Sequence, residues 1–131
     1  MEVLDTSKIG GKTLDEWERS WLSLGILESA DLSHLSKSVG LYKATLKGKI
    51  VFIGRATEHS NGGLCKRLSD YIRSTDSSRD YSSGQLIHQN AANLEIEVLI
   101  TGDDESAGET AKKLKEYFID FYKPEWNKMS K

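Results

Sequence analysis

The side chains best suited to chemistry are phenol and guanidinium groups near two short apolar runs. Tyr42 ends the first run, and Arg55 directly follows the second. Further along the chain, Arg67 precedes Tyr71 by about one helical turn. A guanidinium group makes bidentate contacts to phosphate oxygens, and a phenol can serve as a general base for water. These residue types suit the binding or hydrolysis of a phosphodiester.

The strands that must position these side chains follow from the apolar patterning. Residues 39–46 and 50–54 predict two antiparallel strands closed by a short polar turn at Lys47 and Gly48. Residues 94–101 predict a third strand, because apolar and acidic side chains alternate there. We therefore expect a sheet of three antiparallel strands.

Helices are predicted around these strands. Thr13 and Glu16 have the spacing of a capping box, and apolar side chains follow at helical spacing as far as Leu24, with Gly25 as the stop. The other predicted elements are a helical turn at 31–35, a loop at 57–63, a helix at 64–73, a loop at 74–84, a short helix at 85–90 and a last helix at 106–122. The chain is thus predicted to be an α+β domain in which helices flank a three-stranded antiparallel sheet.

The charge distribution leaves the type of partner open. The net charge is −2, but residues 40–75 carry +5 and residues 111–131 carry +3, against −3 for residues 1–39 and −7 for residues 76–110. The two basic blocks contain the candidate site residues, which suits a basic face with an acidic back. Chance segregation of surface charge explains the same pattern equally well.

Several classes of protein are disfavoured by the sequence. No apolar run is long enough to span a bilayer, and the first residues have no signal-peptide pattern. The single cysteine, Cys65, excludes an internal disulfide and suits a reducing compartment. The three histidines and this cysteine do not have the spacing of a zinc site. We therefore expect a soluble cytoplasmic protein with no membrane association.

Four separated motifs occur in an order that resembles the GIY-YIG nuclease family. They are Gly40-Leu41-Tyr42, Phe52-Ile53-Gly54, the helical Arg67, and Asn127 shortly after Pro124. The resemblance covers about residues 38–127 and implies a GIY-YIG nuclease-like fold that cuts nucleic acid by metal-assisted hydrolysis, with Mg²⁺ or Mn²⁺ as the metal. It divides the chain into an N-terminal helical extension, residues 1–37, packed on a GIY-YIG-like domain, residues 38–131.

The resemblance also implies a set of site residues. Tyr42 matches the first tyrosine of the family, Arg55 the basic residue after the second strand, and Arg67 the arginine of the following helix. Tyr71 matches a tyrosine or histidine one turn later, and Asn127 matches the terminal asparagine. Each residue alone has an ordinary structural explanation, such as a half-buried tyrosine or a surface arginine. Their joint order favours a site.

At two positions to which the resemblance assigns a catalytic role, this chain has a different residue from the one that the family is expected to have. Phe52 stands where the second tyrosine is expected, so this position has no hydroxyl group to act as a base or bind water. Lys115 stands where the metal-binding carboxylate is expected, and its ammonium group repels a cation. The neighbouring Glu116 would bind the metal only if the helix were shifted, because one residue rotates a side chain by about 100°. Glu109 is a weaker candidate for the metal.

Three functions stay open from the sequence. The favoured one is a GIY-YIG endonuclease-like domain that associates with DNA and whose cleavage is weak or lost. The second is an active metal-dependent endonuclease in which Glu116 binds Mg²⁺ or Mn²⁺ and another phenol, such as Tyr42, is the base. The third is a protein-interaction module on a vestigial nuclease fold, with a protein partner bound through residues 1–37. Metal-dependent cleavage separates the first two, and salt-dependent nucleic-acid binding separates the first from the third.

Overall fold

The computed structural model describes residues 8–57, 62–72 and 82–129. Within these residues the strands, numbered in chain order, are β1 (Lys8–Ile9), β2 (Lys12–Thr13), β3 (Leu22–Ile26), β4 (Val39–Leu46), β5 (Lys49–Ala56) and β6 (Leu94–Gly102). Strands β3, β6, β4 and β5 form one antiparallel sheet in that order, and β1 pairs with β2 in a separate hairpin. Strand β4 is therefore central, and β5 lies at an edge of the sheet.

Helices cover both faces of the sheet. The described α-helices are α1 (Leu14–Glu18), α2 (Gly63–Ile72), α3 (Ser82–Gln89) and α4 (Glu105–Tyr122). Short 3₁₀ helices occupy Leu27–Ser29, Ser33–Leu35 and Glu125–Met129. Apolar side chains of α2 and α3 pack on one face of the sheet, and those of α1 and α4 pack on the other. Successive residues of β4 point to opposite faces, so the central strand contributes to both cores.

The predicted hairpin of strands β4 and β5 is confirmed. Lys47 and Gly48 both have positive φ, 53° and 81°, which is the backbone of the two-residue turn that best matches the twist of paired strands. Gly40 in β4 is needed for a different reason. The carbonyl oxygen of Leu99 in β6 lies where a Cβ at residue 40 would be placed, beside an irregularity in the β4–β6 register. Only glycine allows the two strands to approach this closely.

The predicted helix over residues 13–25 is wrong beyond its first turns. The Thr13–Glu16 capping box is present, but α1 ends at Glu18. The chain then enters β3, which pairs with β6 and makes the sheet four-stranded instead of three-stranded. Trp21 still packs against α4, with its ring 5.5 Å from that of Phe118. Pairing with an open sheet edge has therefore overridden a helical spacing of apolar residues.

Most other predicted elements are confirmed, with small shifts at their ends. Helix α4 begins one residue earlier than expected because the Asp104 side chain accepts a hydrogen bond from the Ala107 amide group. The predicted loops at 57–63 and 74–84 fall largely outside the described residues, although 82–84 belong to α3. The division of the chain at residue 37 stays a prediction, but β3 shows that part of the N-terminal segment belongs to the main sheet. None of the described helices has the length and apolarity needed to cross a membrane.

Candidate functional site

Tyr42 and Tyr71 form a hydrogen-bonded pair of phenols inside the core. Tyr42 lies in β4 and Tyr71 lies near the end of α2, and their hydroxyl oxygens are 2.6 Å apart. The residues are only 2% and 6% exposed. Gly54 of β5 provides the room, because a Cβ at that position would overlap the Tyr42 hydroxyl group. Both phenols are therefore core groups that offer a ligand little surface.

Arg67 of α2 connects the phenol pair to the surface. Its half-buried guanidinium group lies close enough to the hydroxyl groups of Tyr42 and Tyr71 for its charge to act on both. Burial raises the pKa of Tyr42 well above its ordinary value and also raises the pKa of Tyr71, although Arg67 acts in the opposite direction. The two phenols are thus neutral at physiological pH. A buried neutral phenol is poorly suited to act as a general base.

Phe52 packs on the same face of the sheet as the phenol pair. Its ring centroid is 6.0 Å from that of Tyr42, and the residue is 6% exposed. The aromatic ring at this position fills the core between β5 and the helices. The resemblance assigns a catalytic role to a tyrosine at this position. That this role is lost with Phe52 stays a prediction.

Three positive side chains from three different elements lie near enough to one another for the charges of two to act on the third. Arg55 belongs to β5, Arg67 to α2 and Lys115 to α4, and all three are half-buried. Burial lowers the pKa of the Lys115 ammonium group, and the nearby charges of Arg55 and then Arg67 lower it further. We call Arg55, Arg67 and Lys115 the cationic cluster. The structure thus brings Lys115 to the predicted site residues.

A cleft of about 280 Å³ adjoins the cationic cluster at Arg55. Its other lining residues are Thr57, Glu105, Gly108, Glu109 and Lys112. The four residues from α4 recur at intervals of three and four, so one face of the first half of this helix forms a wall of the cleft. Of these residues of α4, only Glu109 was predicted from the sequence as a candidate site residue. The helical spacing of positions 105, 108, 109 and 112 was the signal that could have identified the rest.

Asn127 lies beside the edge strand β5, and both polar atoms of its side-chain amide form hydrogen bonds with that strand. The Ile53 amide group donates to Asn127 Oδ1 at 2.9 Å, and Asn127 Nδ2 donates to the Ile53 carbonyl oxygen at 2.8 Å. The adjacent Trp126 is buried in the core beside α2 and α3. These contacts fasten the C-terminal 3₁₀ helix along β5. That Asn127 also contacts a ligand directly stays a prediction.

Glu116 lies apart from the cationic cluster. It follows Lys115 in α4, and its side chain is exposed whereas that of Lys115 is half-buried. This difference is expected from the rotation of about 100° per residue in an α-helix. The Glu116 side chain thus lies on a more exposed side of α4 than that of Lys115, and its role as a metal ligand stays a prediction.

Solved structures of the GIY-YIG N-terminal endonuclease domain of UvrC from Thermotoga maritima are similar to this chain. The magnesium-bound domain has a TM-score of 0.51 and 22% identity over 73% of this chain and 90% of that domain. The chain has the GIY-YIG fold. Two point mutants of the same domain, each bound to its catalytic divalent cation, give TM-scores of 0.51 and 0.50 at 21% and 24% identity. No family model and no curated protein matches the chain.

The divalent cation bound by the UvrC domain does not fit the cationic cluster of this GIY-YIG fold. Mg²⁺ and Mn²⁺ need hard oxygen ligands, whereas the groups that converge here are two guanidinium groups and an ammonium group. In the part of the chain that the structure describes, no group of three or more His, Cys, Asp or Glu side chains is placed to hold a metal ion. The carboxylates of Glu105 and Glu109 line the adjoining cleft together with Arg55 and Lys112.

Proposed function

We propose that this chain is a GIY-YIG endonuclease-like domain that associates with DNA and whose cleavage is weak or lost. The observation that carries the proposal is the cationic cluster, in which β5, α2 and α4 each contribute one positive side chain. Arginine and lysine are the side chains that contact the DNA backbone most often, and contacts to phosphate position a protein without reading the sequence. The single cysteine agrees with the cytoplasmic location that we also propose.

Weak or lost cleavage is supported by two features of the site. Phe52 has no hydroxyl group, and Tyr42 is a buried phenol whose pKa is raised, so neither offers a ready general base. Lys115 brings a positive charge to the position where the resemblance expects a carboxylate. Glu116, the alternative metal ligand, is exposed on another side of α4.

The test is a combined binding and cleavage assay on DNA. We expect a labelled duplex to bind with an affinity that falls as salt rises, because phosphate contacts release counterions. Arg67→Ala should weaken binding about tenfold, the effect of losing one charge-assisted hydrogen bond of roughly 1.5 kcal/mol. Lys113→Ala is the matched control, because Lys113 is exposed on α4 and lies about 200° around the helix from Lys115. Its effect should be less than twofold.

The same samples separate the proposal from its two alternatives. Supercoiled and branched DNA are incubated with Mg²⁺ or Mn²⁺ beside Glu116→Ala and Arg67→Ala. Cutting that both variants abolish would show an active endonuclease that uses Glu116 and would overturn the proposal. Absence of both cutting and salt-dependent binding would favour a protein-interaction module that uses residues 1–37.

A further inference from the structure

The cleft beside Arg55 presents hydrogen-bond acceptors and cations side by side. Its wall from α4 contributes the carboxylates of Glu105 and Glu109 and the ammonium group of Lys112, all of them exposed, and Arg55 on β5 is half-buried. The ion pairs formed among the described residues join other side chains. The charged groups of the cleft are therefore available to a ligand that has both donors and acceptors.

Gly108 keeps this cleft open at a cost to the helix. A Cβ at this position would lie 3.5 Å from Cβ and 3.6 Å from Cγ2 of Thr57, which is ordinary contact. Glycine inside a helix is less favourable than alanine, so the fold itself does not require glycine here. A longer side chain would occupy the cleft, because both Gly108 and Thr57 line it. The residue thus suits a binding site better than it suits the helix.

We infer that this cleft binds the base of an unpaired guanine. The inference rests on the proposed association with DNA and adds the recognition of a base beside the contact with the backbone. The carboxylate of Glu109 accepts hydrogen bonds from guanine N1–H and from the 2-amino group, and the ammonium group of Lys112 donates to O6 or N7. The base is unpaired because these N–H groups are occupied by the partner base within a duplex.

The hydrogen-bonding groups of guanine match this cleft better than those of the other bases. An ionised carboxylate has two acceptor oxygens and no donor, so it pairs best with two adjacent N–H groups. Guanine presents N1–H and an amino group side by side, whereas adenine and cytosine present one amino group each and thymine presents one ring N–H between two carbonyl oxygens. The O6 and N7 acceptors of guanine are also the base atoms that lysine and arginine bind most often.

The spacing and the size of the cleft also suit one flat ligand. Residues three positions apart on a helix have Cβ atoms about 5–6 Å apart, so Glu109 and Lys112 can reach neighbouring edges of the same ring system. The volume of about 280 Å³ is near the lower end of the range of ligand pockets, about 300–1,000 Å³, and is too small for a duplex. The two carboxylates oppose a phosphate inside the cleft. Arg55 belongs to both the cleft and the cationic cluster, so a bound base would adjoin the proposed backbone contact.

The first test removes one group from the base. Binding of a labelled single-stranded oligothymidine with one central guanine is measured by fluorescence anisotropy, and guanine is then replaced by hypoxanthine, which lacks only the 2-amino group. The affinity of the wild-type protein should fall about tenfold, as expected for the loss of one hydrogen bond to a charged group. Equal affinity of the wild-type protein for the two oligonucleotides would overturn the inference.

Substitution of Glu109 assigns this discrimination to one side chain. Glu109→Ala should bind the guanine and hypoxanthine oligonucleotides equally, because no carboxylate is left to meet the amino group. Glu95→Ala is the matched control, because it removes an exposed carboxylate of β6 and changes the net charge by the same amount. This control should keep the tenfold discrimination. Discrimination that survives in Glu109→Ala would contradict the assigned role.

Substitution of Gly108 tests the cleft by filling it. Gly108→Gln should lose the preference for guanine, while Gly108→Ala should keep most of it and unfold at a higher temperature than the wild-type protein. Circular dichroism establishes that each variant is folded. A folded Gly108→Gln protein that still prefers guanine tenfold would show that the base binds elsewhere.

Guanosine separates this inference from the proposed function, because it has no phosphate group. Guanosine should raise the thermal midpoint of the wild-type protein but not that of Glu109→Ala, and adenosine should raise neither. If DNA does not bind while this guanosine effect is present, the DNA proposal fails and the base-binding cleft is supported. If DNA binds in a salt-dependent way that Arg67→Ala weakens, but without preference for guanine and without an effect of guanosine, the proposed function stands and the inference fails.

Discussion

The hydroxyl groups of Tyr42 and Tyr71 lie 2.6 Å apart and join the central strand β4 to helix α2 across 29 positions of the chain. Arg67 lies on the same helix, one turn before Tyr71, and its charge acts on both hydroxyl groups. We therefore expect the phenol pair to position the side chain of Arg67, which belongs to the cationic cluster that we propose contacts DNA.

Replacing Tyr71 by phenylalanine should affect both stability and binding. The change removes one hydroxyl group of a buried pair and should lower the free energy of unfolding by about 1–2 kcal/mol. DNA affinity should fall several-fold because Arg67 loses one of its anchors. Urea denaturation and fluorescence anisotropy measure the two effects. Tyr122→Phe, which removes a half-buried hydroxyl group that bonds to Glu18 at 3.3 Å, should change DNA affinity by less than twofold. Unchanged stability and affinity in Tyr71→Phe would contradict the positioning role.

The phenol pair should make stability decrease in alkaline solution. Burial raises the pKa of Tyr42 and of Tyr71 in the folded state, while an unfolded tyrosine has a pKa of about 10. The stability that each raised pKa contributes is therefore fully present below about pH 10 and is lost as the pH rises toward the folded-state value. The difference in unfolding free energy between wild type and Tyr71→Phe should shrink above about pH 10. The pKa of Tyr122 is raised to about 12 in both proteins and cancels in this difference.

Denaturation curves at several pH values between 8 and 11, with the absorbance of phenolate followed in parallel, measure this effect. A difference that stays constant across this range would show that Tyr71 ionises as easily in the folded chain as in the unfolded one. That result would contradict the burial of the pair.

Asn127→Ala should reduce stability and leave DNA affinity almost unchanged. The variant loses two hydrogen bonds to the Ile53 backbone, at 2.9 and 2.8 Å, and this should cost about 1–3 kcal/mol in the free energy of unfolding. Asn127→Asp keeps an acceptor for the Ile53 amide group but loses the donor, so its stability should be intermediate. Affinity is measured at a temperature where both variants are folded. Lost affinity at unchanged stability would assign Asn127 to the site, as the resemblance implies.

Local patterns in the sequence predicted the parts of the fold that are formed by neighbouring residues. The hairpin of β4 and β5 follows from two apolar runs and a turn in which Lys47 and Gly48 take positive φ. Helix α4 follows from a long amphipathic segment that Pro124 ends. The position of Lys115 followed from counting along this helix, and the structure brings it near Arg55 and Arg67.

The parts that were not predicted depend on contacts between distant residues. Trp21 and Leu24 have helical spacing relative to Trp17, but hydrogen bonds to β6 make residues 22–26 a strand. The burial of the phenol pair likewise depends on α2 packing on the sheet and on the space that Gly54 leaves for Tyr42, which no local pattern reveals. The apolar periodicity of a single sequence reports local spacing and does not show which distant segments of the chain pair.

Lys115→Gln should stabilise the ligand-free protein while it weakens the proposed association with DNA. The half-buried ammonium group lies near two guanidinium groups, and burial together with this like charge lowers its pKa. Removing the charge should raise the free energy of unfolding by about 0.5 kcal/mol at low salt, the usual size of a like-charge interaction near a surface. High salt should reduce the gain because it screens the charges.

Lys113→Gln, on another side of α4, should change stability by less than about 0.5 kcal/mol at any salt concentration. Urea denaturation at low and high salt measures both variants. Such a cost to stability is common at functional sites. A loss of stability in Lys115→Gln would instead make Lys115 part of the packing of α4.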